Sequence, residues 1–276
     1  MQVAEVRRRL DVGTLGVYVV VAAFLGLVGL ILLSALLDSF ATSWFGGWLP
    51  DGWTLRWYRY ATAEFDLGQI LVTTAIVGLA VTALSLLFGT PAAYVLARRR
   101  FRGQGGVLVL LTLPMLVPPI TYGIPFTIML LEYRLAPGLP GVILANLVPA
   151  TPFVVLVMTL FFRQIDPNLE GAARVLGAGR LRVFWRILVP LALPGIFAAG
   201  LLVLVRTLAL FELTFFTSGS RSQTLVVALY YAVFGAGVRP SQSIDAMAVV
   251  YMATGLVLMI AALRFVNPVS MVPHAR

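Results

Sequence analysis

The amino-acid sequence predicts an all-α membrane protein with about six transmembrane helices. Two observations carry this prediction. The chain is 60% hydrophobic and only 11% charged, and its mean hydropathy is +0.97. Because a soluble domain carries about 25% charged residues, this chain has too few charges to cover a water-facing surface of its size. Most of its 276 residues must therefore lie in lipid, where a spanning helix needs about 20 apolar residues.

The apolar segments define the predicted spans, which are residues 17–37, 70–97, 107–131, 142–162, 191–216 and 244–265. The third segment is rich in proline, and the shorter apolar stretch 224–234 predicts a surface or re-entrant helix. We divide the chain into three parts. Residues 1–65 hold an N-terminal cytoplasmic tail, the first helix and an external loop. Residues 66–266 form the core, with a cytoplasmic loop at 163–190, and residues 267–276 form a cytoplasmic tail.

The distribution of arginine predicts the orientation of these spans. Fourteen arginines flank them on one side of the membrane: Arg7, Arg8, Arg9, Arg98, Arg99, Arg100, Arg102, Arg163, Arg174, Arg180, Arg182, Arg186, Arg264 and Arg276. The opposite loops hold five: Arg56, Arg59, Arg134, Arg221 and Arg239. Since positive charge accumulates on the cytoplasmic side, we expect a multi-pass protein of the bacterial inner (plasma) membrane with both termini in the cytoplasm. The arginines explain the net charge of +9 without a nucleic-acid partner.

The residue types that are missing exclude several chemistries. The chain has no Cys and a single His, His274, which excludes disulfides, thiolate sites and internal histidine catalysis. It also has no Lys, because all 20 basic residues are Arg. A Walker A loop needs its Lys on the phosphates, so the chain is not a standard P-loop ATPase. We expect no enzyme activity, no metal and no cofactor bound by this chain.

The cytoplasmic segment 166–190 predicts two short helices. Asp166 can cap a first helix, Pro167 suits its first position, and Glu170 adds negative charge near its amino end. Gly177 can end this helix in the left-handed conformation. Small residues 171–173 would lie on its exposed flank, where another protein could approach closely. A second helix is expected at 181–188, with Pro190 ending it.

This segment resembles the EAA loop of binding-protein-dependent ABC importer permeases. That motif reads Glu-Ala-Ala, three residues, Gly, nine residues and Ile-x-Leu-Pro, and the residues in register here are Ala172, Ala173, Gly177, Ile187 and Pro190. Gly171 stands where the family has Glu, with Glu170 one place earlier, and Val189 replaces Leu. The resemblance implies a type I importer permease core, and it assigns coupling to an ATPase to Glu170, Gly171, Ala172, Ala173, Gly177, Ile187 and Pro190.

The same resemblance implies the partners. These are two copies of an ABC ATPase that bind ATP and Mg, a second permease subunit of a different chain, an external solute-binding protein and the lipid bilayer. Segments 53–58, 100–103 and 243–247 are similar to those of spermidine/putrescine-type permeases. A small polar or cationic solute such as a polyamine is therefore expected. Sugar, phosphonate and iron importers share these short motifs and stay open as alternatives.

Polar and proline residues within the spans predict a solute path. Prolines in the third and fourth spans break helical hydrogen bonds, which lipid tolerates only where protein or water covers the gap. Arg206 and Glu212 lie in the fifth predicted span, and six residues apart on one helix they would face different sides. Glu212 and Asp245 could attract a cation. The candidate path residues are Tyr122, Asn146, Phe211, Glu212, Thr214 and Asp245.

Two other function classes fit the sequence less well. An ion-coupled secondary transporter would predict inverted repeats and buried proton-relay carboxylates, and the chain has few acidic residues. A membrane-embedded enzyme would have to rely on Asp, Glu or Ser alone, and no paired catalytic motif is visible. For Glu212, pairing with an arginine of the partner permease is the alternative to a role in solute binding.

Overall fold

A computed structural model describes residues 12–44, 47–235 and 239–265. The described residues form helices joined by short connections, and the only β pairing among them is an isolated bridge between Ala41 and Trp53. The helices are α1 (Val12–Phe40), α2 (Arg56–Phe65), α3 (Leu67–Arg98), α4 (Gln104–Leu116), α5 (Pro119–Glu132), α6 (Leu139–Gln164), α7 (Pro167–Val175), α8 (Arg180–Val183), a π-helical turn (Phe184–Leu188), α9 (Val189–Ala209), α10 (Glu212–Thr217), α11 (Leu225–Phe234) and α12 (Ser241–Phe265). The predicted all-α class is confirmed. The predicted tail 267–276 lies outside the described residues.

Five helical stretches in the described chain are long and apolar enough to cross a membrane: Leu15–Phe40, Leu67–Arg98, Leu139–Gln164, Arg180–Ala209 and Ser241–Ala261. A sixth span results if α4 and α5 are counted together. The prediction of about six spans is confirmed at this level.

The third predicted span is not a single helix. It consists of α4 and α5, which meet at an angle of 99°. The break falls at Pro118 and Pro119, whose missing N–H groups cannot continue the helical hydrogen bonds. Hydropathy alone could not reveal this bend, because the apolar run continues through it.

The chain forms two compact units, Met1–Ala61 with Val238–Val249, and Thr62–Gly237 with Val250–Arg276. In the first unit, Trp57 is buried and its indole N–H donates to the Ala41 carbonyl at 2.7 Å. The side chain of Ser39 hydrogen-bonds to the Tyr58 hydroxyl at 2.8 Å. These contacts tie the C-terminal end of α1 to α2.

The core of the second unit is built by α3, α6 and α9. Its fully buried side chains include Val81, Met158 and Phe162. Glycine permits the close approach of these helices: a Cβ at Gly195 would lie 2.5 Å from the Phe161 ring, and one at Gly89 would lie 2.7 Å from a Val154 methyl. Small residues at crossings are how membrane helices pack tightly without a hydrophobic driving force.

Candidate functional site

The segment after the fourth span folds as the predicted capped helix, α7. The Asp166 carboxylate accepts a hydrogen bond from the Asn168 N–H at 2.9 Å, and Pro167 occupies the first turn. Gly177 has a φ of +82°, and its N–H donates to the Arg174 carbonyl at 2.9 Å. The helix therefore ends in the left-handed conformation that favours glycine.

The second predicted helix, 181–188, is corrected by the structure. The helix begins at Arg180 and continues through the π turn into α9, so Pro190 lies in the first turn of α9 and ends nothing. In the π turn the Val189 N–H donates to the Phe184 carbonyl five residues earlier. The π turn immediately precedes Pro190. It changes the backbone hydrogen bonds at the place where the proline ring would otherwise clash with a carbonyl of the preceding helical turn.

Glu170 faces inward, and its carboxylate joins α7 to α3. It is 5% exposed, and it accepts hydrogen bonds from Arg98 Nε at 2.7 Å and from the Tyr94 hydroxyl at 2.9 Å. Arg174 approaches it at 3.4 Å. A second nitrogen of Arg98 donates to the Ile165 carbonyl at 2.6 Å, just before α7. We call Tyr94, Arg98, Glu170 and Arg174 the Glu170 network.

Tyr94 of the network packs in a cluster of three aromatic rings. The Tyr94 ring lies 5.8 Å from that of Phe162 on α6 and 5.3 Å from that of Phe184 in the π turn, measured between centroids. The Phe162 and Phe184 rings are 6.4 Å apart. Aromatic pairs at such distances are mutually stabilising. One carboxylate thus joins α7 to a packed junction of α3, α6 and the start of the continuous helix that leads into α9.

The opposite side of this segment presents apolar side chains that the protein itself does not cover. Val175 is 89% exposed, Leu176 is 88% exposed and Leu181 is 73% exposed. Val175 and Leu176 lie outside the spanning stretches, where a short polar helix would be expected to show polar side chains to water, and Leu181 lies in the first turn of the stretch Arg180–Ala209. We call Val175, Leu176 and Leu181 the exposed apolar surface, and such a surface is typical of a protein–protein contact.

The small residues of the motif divide between the two sides. Gly171 and Ala172 are exposed, whereas Ala173 is buried and Ile187 is half-buried. A Cβ at Gly171 would meet no atom within 4 Å. The expected exposed flank therefore includes the first two small residues but not Ala173.

A cavity of about 210 Å³ lies where the break between α4 and α5 meets α6 and α9. Its walls include Pro114, Asn146, Phe153, Arg206 and Thr207. None of the described residues that line it is acidic. The guanidinium carbon of Arg206 lies 4.7 Å from the centre of the Phe153 ring, a cation–π arrangement.

The fifth predicted span, 191–216, also breaks. Helix α9 ends at Ala209, and α10 begins at Glu212. Arg206 and Glu212 belong to different helices. The expectation that they face different sides of a single helix was therefore wrong. The Leu210 backbone is extended, with ψ of 102°, and it ends α9 within an apolar run that gives no sequence signal for a break.

The other candidate path residues have different surroundings. The Tyr122 hydroxyl donates to the Pro114 carbonyl at 3.4 Å. Thr214 is buried and accepts a hydrogen bond from the Asn146 amide nitrogen at 3.1 Å. The Phe211 ring stacks 4.8 Å from that of Tyr230. Of the six candidates, only Asn146 lines the Arg206 cavity.

Asp245 belongs to the first compact unit. Its carboxyl lies near that of Asp38, and Asp38 accepts a hydrogen bond from the Gln242 side chain at 3.3 Å. A predicted cation ligand thus lies beside another carboxyl group.

Sequence reasoning missed several residues of the site. Tyr94 and Arg98 lie more than 70 residues from Glu170 along the chain, so no local pattern links them. Leu176 and Val175 carried a usable signal, because two adjacent apolar residues precede the helix-ending Gly177 in a polar segment.

Comparisons with known proteins identify the family of this chain. The family model of the binding-protein-dependent transport system inner membrane component matches residues 89–269. The putrescine transport system permease protein PotI of Escherichia coli (strain K12) is 32% identical over 219 residues, which are 76% of each chain. The protein described as "Probable molybdenum ABC transporter permease protein" of Haloferax volcanii is 31% identical over 228 residues, covering 78% of this chain and 84% of that protein.

A solved structure shares the fold. It is that of a bacterial ABC transporter involved in the import of the acidic polysaccharide alginate, with a TM-score of 0.73 and 19% identity, covering 89% of this chain and 95% of the matched chain. Together with the apolar helices, these matches make the protein a multi-pass membrane permease. The chain belongs to the family of binding-protein-dependent transport system inner membrane components, the permease subunits of ABC importers.

Proposed function

We propose that α7 is the coupling helix of this permease and that its exposed apolar surface docks on an ABC ATPase subunit. The single observation that carries the proposal is the exposure of Val175 and Leu176, at 89% and 88%, on a helix outside the spans. Burying two such side chains contributes about 1.5–3 kcal/mol each. Gly171 and Ala172 beside them would let the partner backbone come close.

The Glu170 network transmits the movement of α7 to the membrane. An ion pair with both partners buried resists separation, because parting them leaves an uncompensated charge. When the ATPase subunits close on ATP, α7 moves with them, and Arg98 and Tyr94 carry that movement into α3. The packed rings of Tyr94, Phe162 and Phe184 extend this movement to α6 and α9. These are the helices that, with the α4–α5 break, enclose the Arg206 cavity.

The assembly we propose has two ATPase subunits, a second permease chain and an external solute-binding protein, in a bacterial inner membrane. The arginine bias supports cytoplasmic termini, which puts α7 on the side where ATP is available. ATP and Mg bind to the ATPase partner. Membership of a permease family counts against the ion-coupled transporter as an alternative.

Co-purification of the tagged chain with its ATPase tests the docking role. We expect Leu176→Arg to reduce recovery of the ATPase at least about tenfold, since a charge replaces a buried apolar contact, while the variant folds normally. Gly177→Arg is a poorer probe, because a φ of +82° strains any side chain there. The control variant is Leu160→Ala, at an exposed position of a span. Leu160→Arg is unsuitable because it would put a charge into lipid. Unchanged ATPase recovery with Leu176→Arg would refute the docking surface.

For the solute we propose a small polar molecule, and two observations favour different charges. A polyamine is supported by the carboxylate of Glu212 at the start of α10 and by the putrescine relative. An anion is supported by Arg206 in the cavity wall and by the molybdenum relative. Thermal-shift screening of the cognate binding protein with putrescine, sulfate, molybdate and maltose distinguishes them. If putrescine alone stabilises that protein, Glu212→Gln should impair uptake.

A further inference from the structure

We infer that Arg206 is a binding residue for negatively charged groups in the solute path, so that the permease carries a small solute bearing an oxyanion. The inference rests on the proposed function, because it assumes that the Arg206 cavity belongs to the path. It deepens that function by naming the charge of the solute.

The first step concerns the cost of the charge. Arg206 lies in α9, a helix of 21 residues that is otherwise free of charge. An arginine within a span costs about 2.5–3.5 kcal/mol on insertion scales and marks a functional position unless it is paired. A place in the last turn of α9 recovers only about 0.3–1 kcal/mol from the helix dipole. Helix position alone therefore does not account for Arg206.

The second step concerns its partners. Within the described part of the chain, the ion pairs are those of Glu170, and none involves Arg206. The Phe153 ring holds the guanidinium at 4.7 Å and leaves its N–H groups unneutralised, since a ring face supplies no formal charge. A guanidinium in this state presents donors in the planar geometry that matches carboxylate, sulfate and phosphate oxygens.

The third step concerns Asn146, a second polar residue that lines the cavity. Asn146 is 1% exposed and lines the same cavity. Its amide nitrogen donates to the Val142 carbonyl at 2.8 Å, which fixes the orientation of the amide because a carbonyl can only accept. The amide oxygen is consequently left buried without a hydrogen-bond partner in the described structure. Such an unmet acceptor calls for an explanation. A hydroxyl or amino group on the anionic solute would satisfy it.

Single-cysteine labelling tests the inference without knowledge of the solute, because the chain contains no Cys. We would introduce Leu210→Cys, in the cavity wall four residues after Arg206. The whole importer complex, in an uncharged detergent, is then reacted with two methanethiosulfonates of similar size, one carrying a sulfonate and one a trimethylammonium. Labelling of this chain is read by mass. Trp48→Cys, at a position that is 99% exposed in the connection between α1 and α2, is the matched control position.

At Leu210→Cys we expect the sulfonate reagent to be favoured over the cationic one by about tenfold relative to their reaction with free thiol. Arg206→Gln should abolish this preference, Arg206→Lys should keep most of it, and neither should change labelling at Trp48→Cys. No preference in the parent protein would mean that another subunit neutralises Arg206, and it would overturn the inference. A preference that disappears on adding phosphatidylglycerol would assign Arg206 to lipid phosphate, and would also overturn it. ATPase recovery, measured in the same samples, reports separately on the proposed coupling function.

Discussion

Replacing Glu170 with alanine tests whether α7 and α3 move as one body. The substitution removes the carboxylate that accepts from Arg98 at 2.7 Å and from Tyr94 at 2.9 Å. It leaves the capping of α7 by Asp166 and Gly177 intact, and it does not alter the exposed apolar surface. The change is therefore directed at transmission and spares docking.

The magnitude follows from burial. The side chains of Arg98 and Glu170 are 12% and 7% exposed, and breaking such a buried pair by removing one partner costs about 3–5 kcal/mol. Arg174 provides the matched control, because it contacts the same carboxylate at 3.4 Å with its side chain 51% exposed. An exposed pair of this kind contributes about 0.3–0.5 kcal/mol. The two alanine variants should thus differ roughly tenfold in their effect on stability.

The assay has two readouts on the purified complex in proteoliposomes. Thermal unfolding should fall by about 6–20 °C for Glu170→Ala and by less than about 2 °C for Arg174→Ala. Solute uptake per ATP hydrolysed should fall for Glu170→Ala, while the ATPase still co-purifies. In the double variant with Arg98→Ala the loss of stability should be smaller than the sum of the single losses, because no unpaired charge remains.

The reasoning would be refuted if Glu170→Ala matched Arg174→Ala in both unfolding temperature and uptake per ATP. A loss of stability without any change in uptake per ATP would keep the ion pair as a structural contact and remove its role in transmission.

Three further predictions follow from single positions. Gly171→Ala should stabilise α7 by about 0.5–1 kcal/mol, since its Cβ would meet no atom within 4 Å, and hydrogen exchange of α7 would measure this protection. Gly195→Ala should destabilise the packing of α6 on α9 by about 1–3 kcal/mol, because its Cβ would lie 2.5 Å from the Phe161 ring. The control Gly26→Ala, inside α1 with open space around it, should unfold at or slightly above the parent temperature. Leu176→Arg should weaken ATPase binding by at least about tenfold in a titration of the detergent-purified complex, and equal affinity would exclude the exposed apolar surface as the docking site.

Local signals in the sequence were sufficient for α7. Asp166 and Pro167 mark its start and Gly177 marks its end, and each acts on backbone groups within one turn. The composition and the apolar segments were likewise sufficient for the number of spans, because both depend on the solvent around the chain and not on its tertiary contacts.

The features that escaped prediction depend on contacts between distant parts of the chain. Glu170 reads as a helix N-terminal carboxylate, and only the folded chain brings Arg98 beside it. The end of α9 at Ala209 and the bend at Pro118 fall inside apolar runs, where hydropathy does not vary. Arg206 was recognised as unusual, but its placement over Phe153 and its separation from Glu212 required the structure.

The central claim is that α7 docks on an ATPase subunit, and photocrosslinking from position 176 tests it most directly. A photoreactive benzophenone amino acid would replace Leu176, which is 88% exposed, in membranes that contain the whole importer. A matched sample would carry the same group in place of Leu160, which is 60% exposed on a span. The account predicts an adduct between this chain and the ATPase from position 176 and none from position 160. Failure to form the ATPase adduct from position 176, in membranes where the complex still co-purifies, would contradict it.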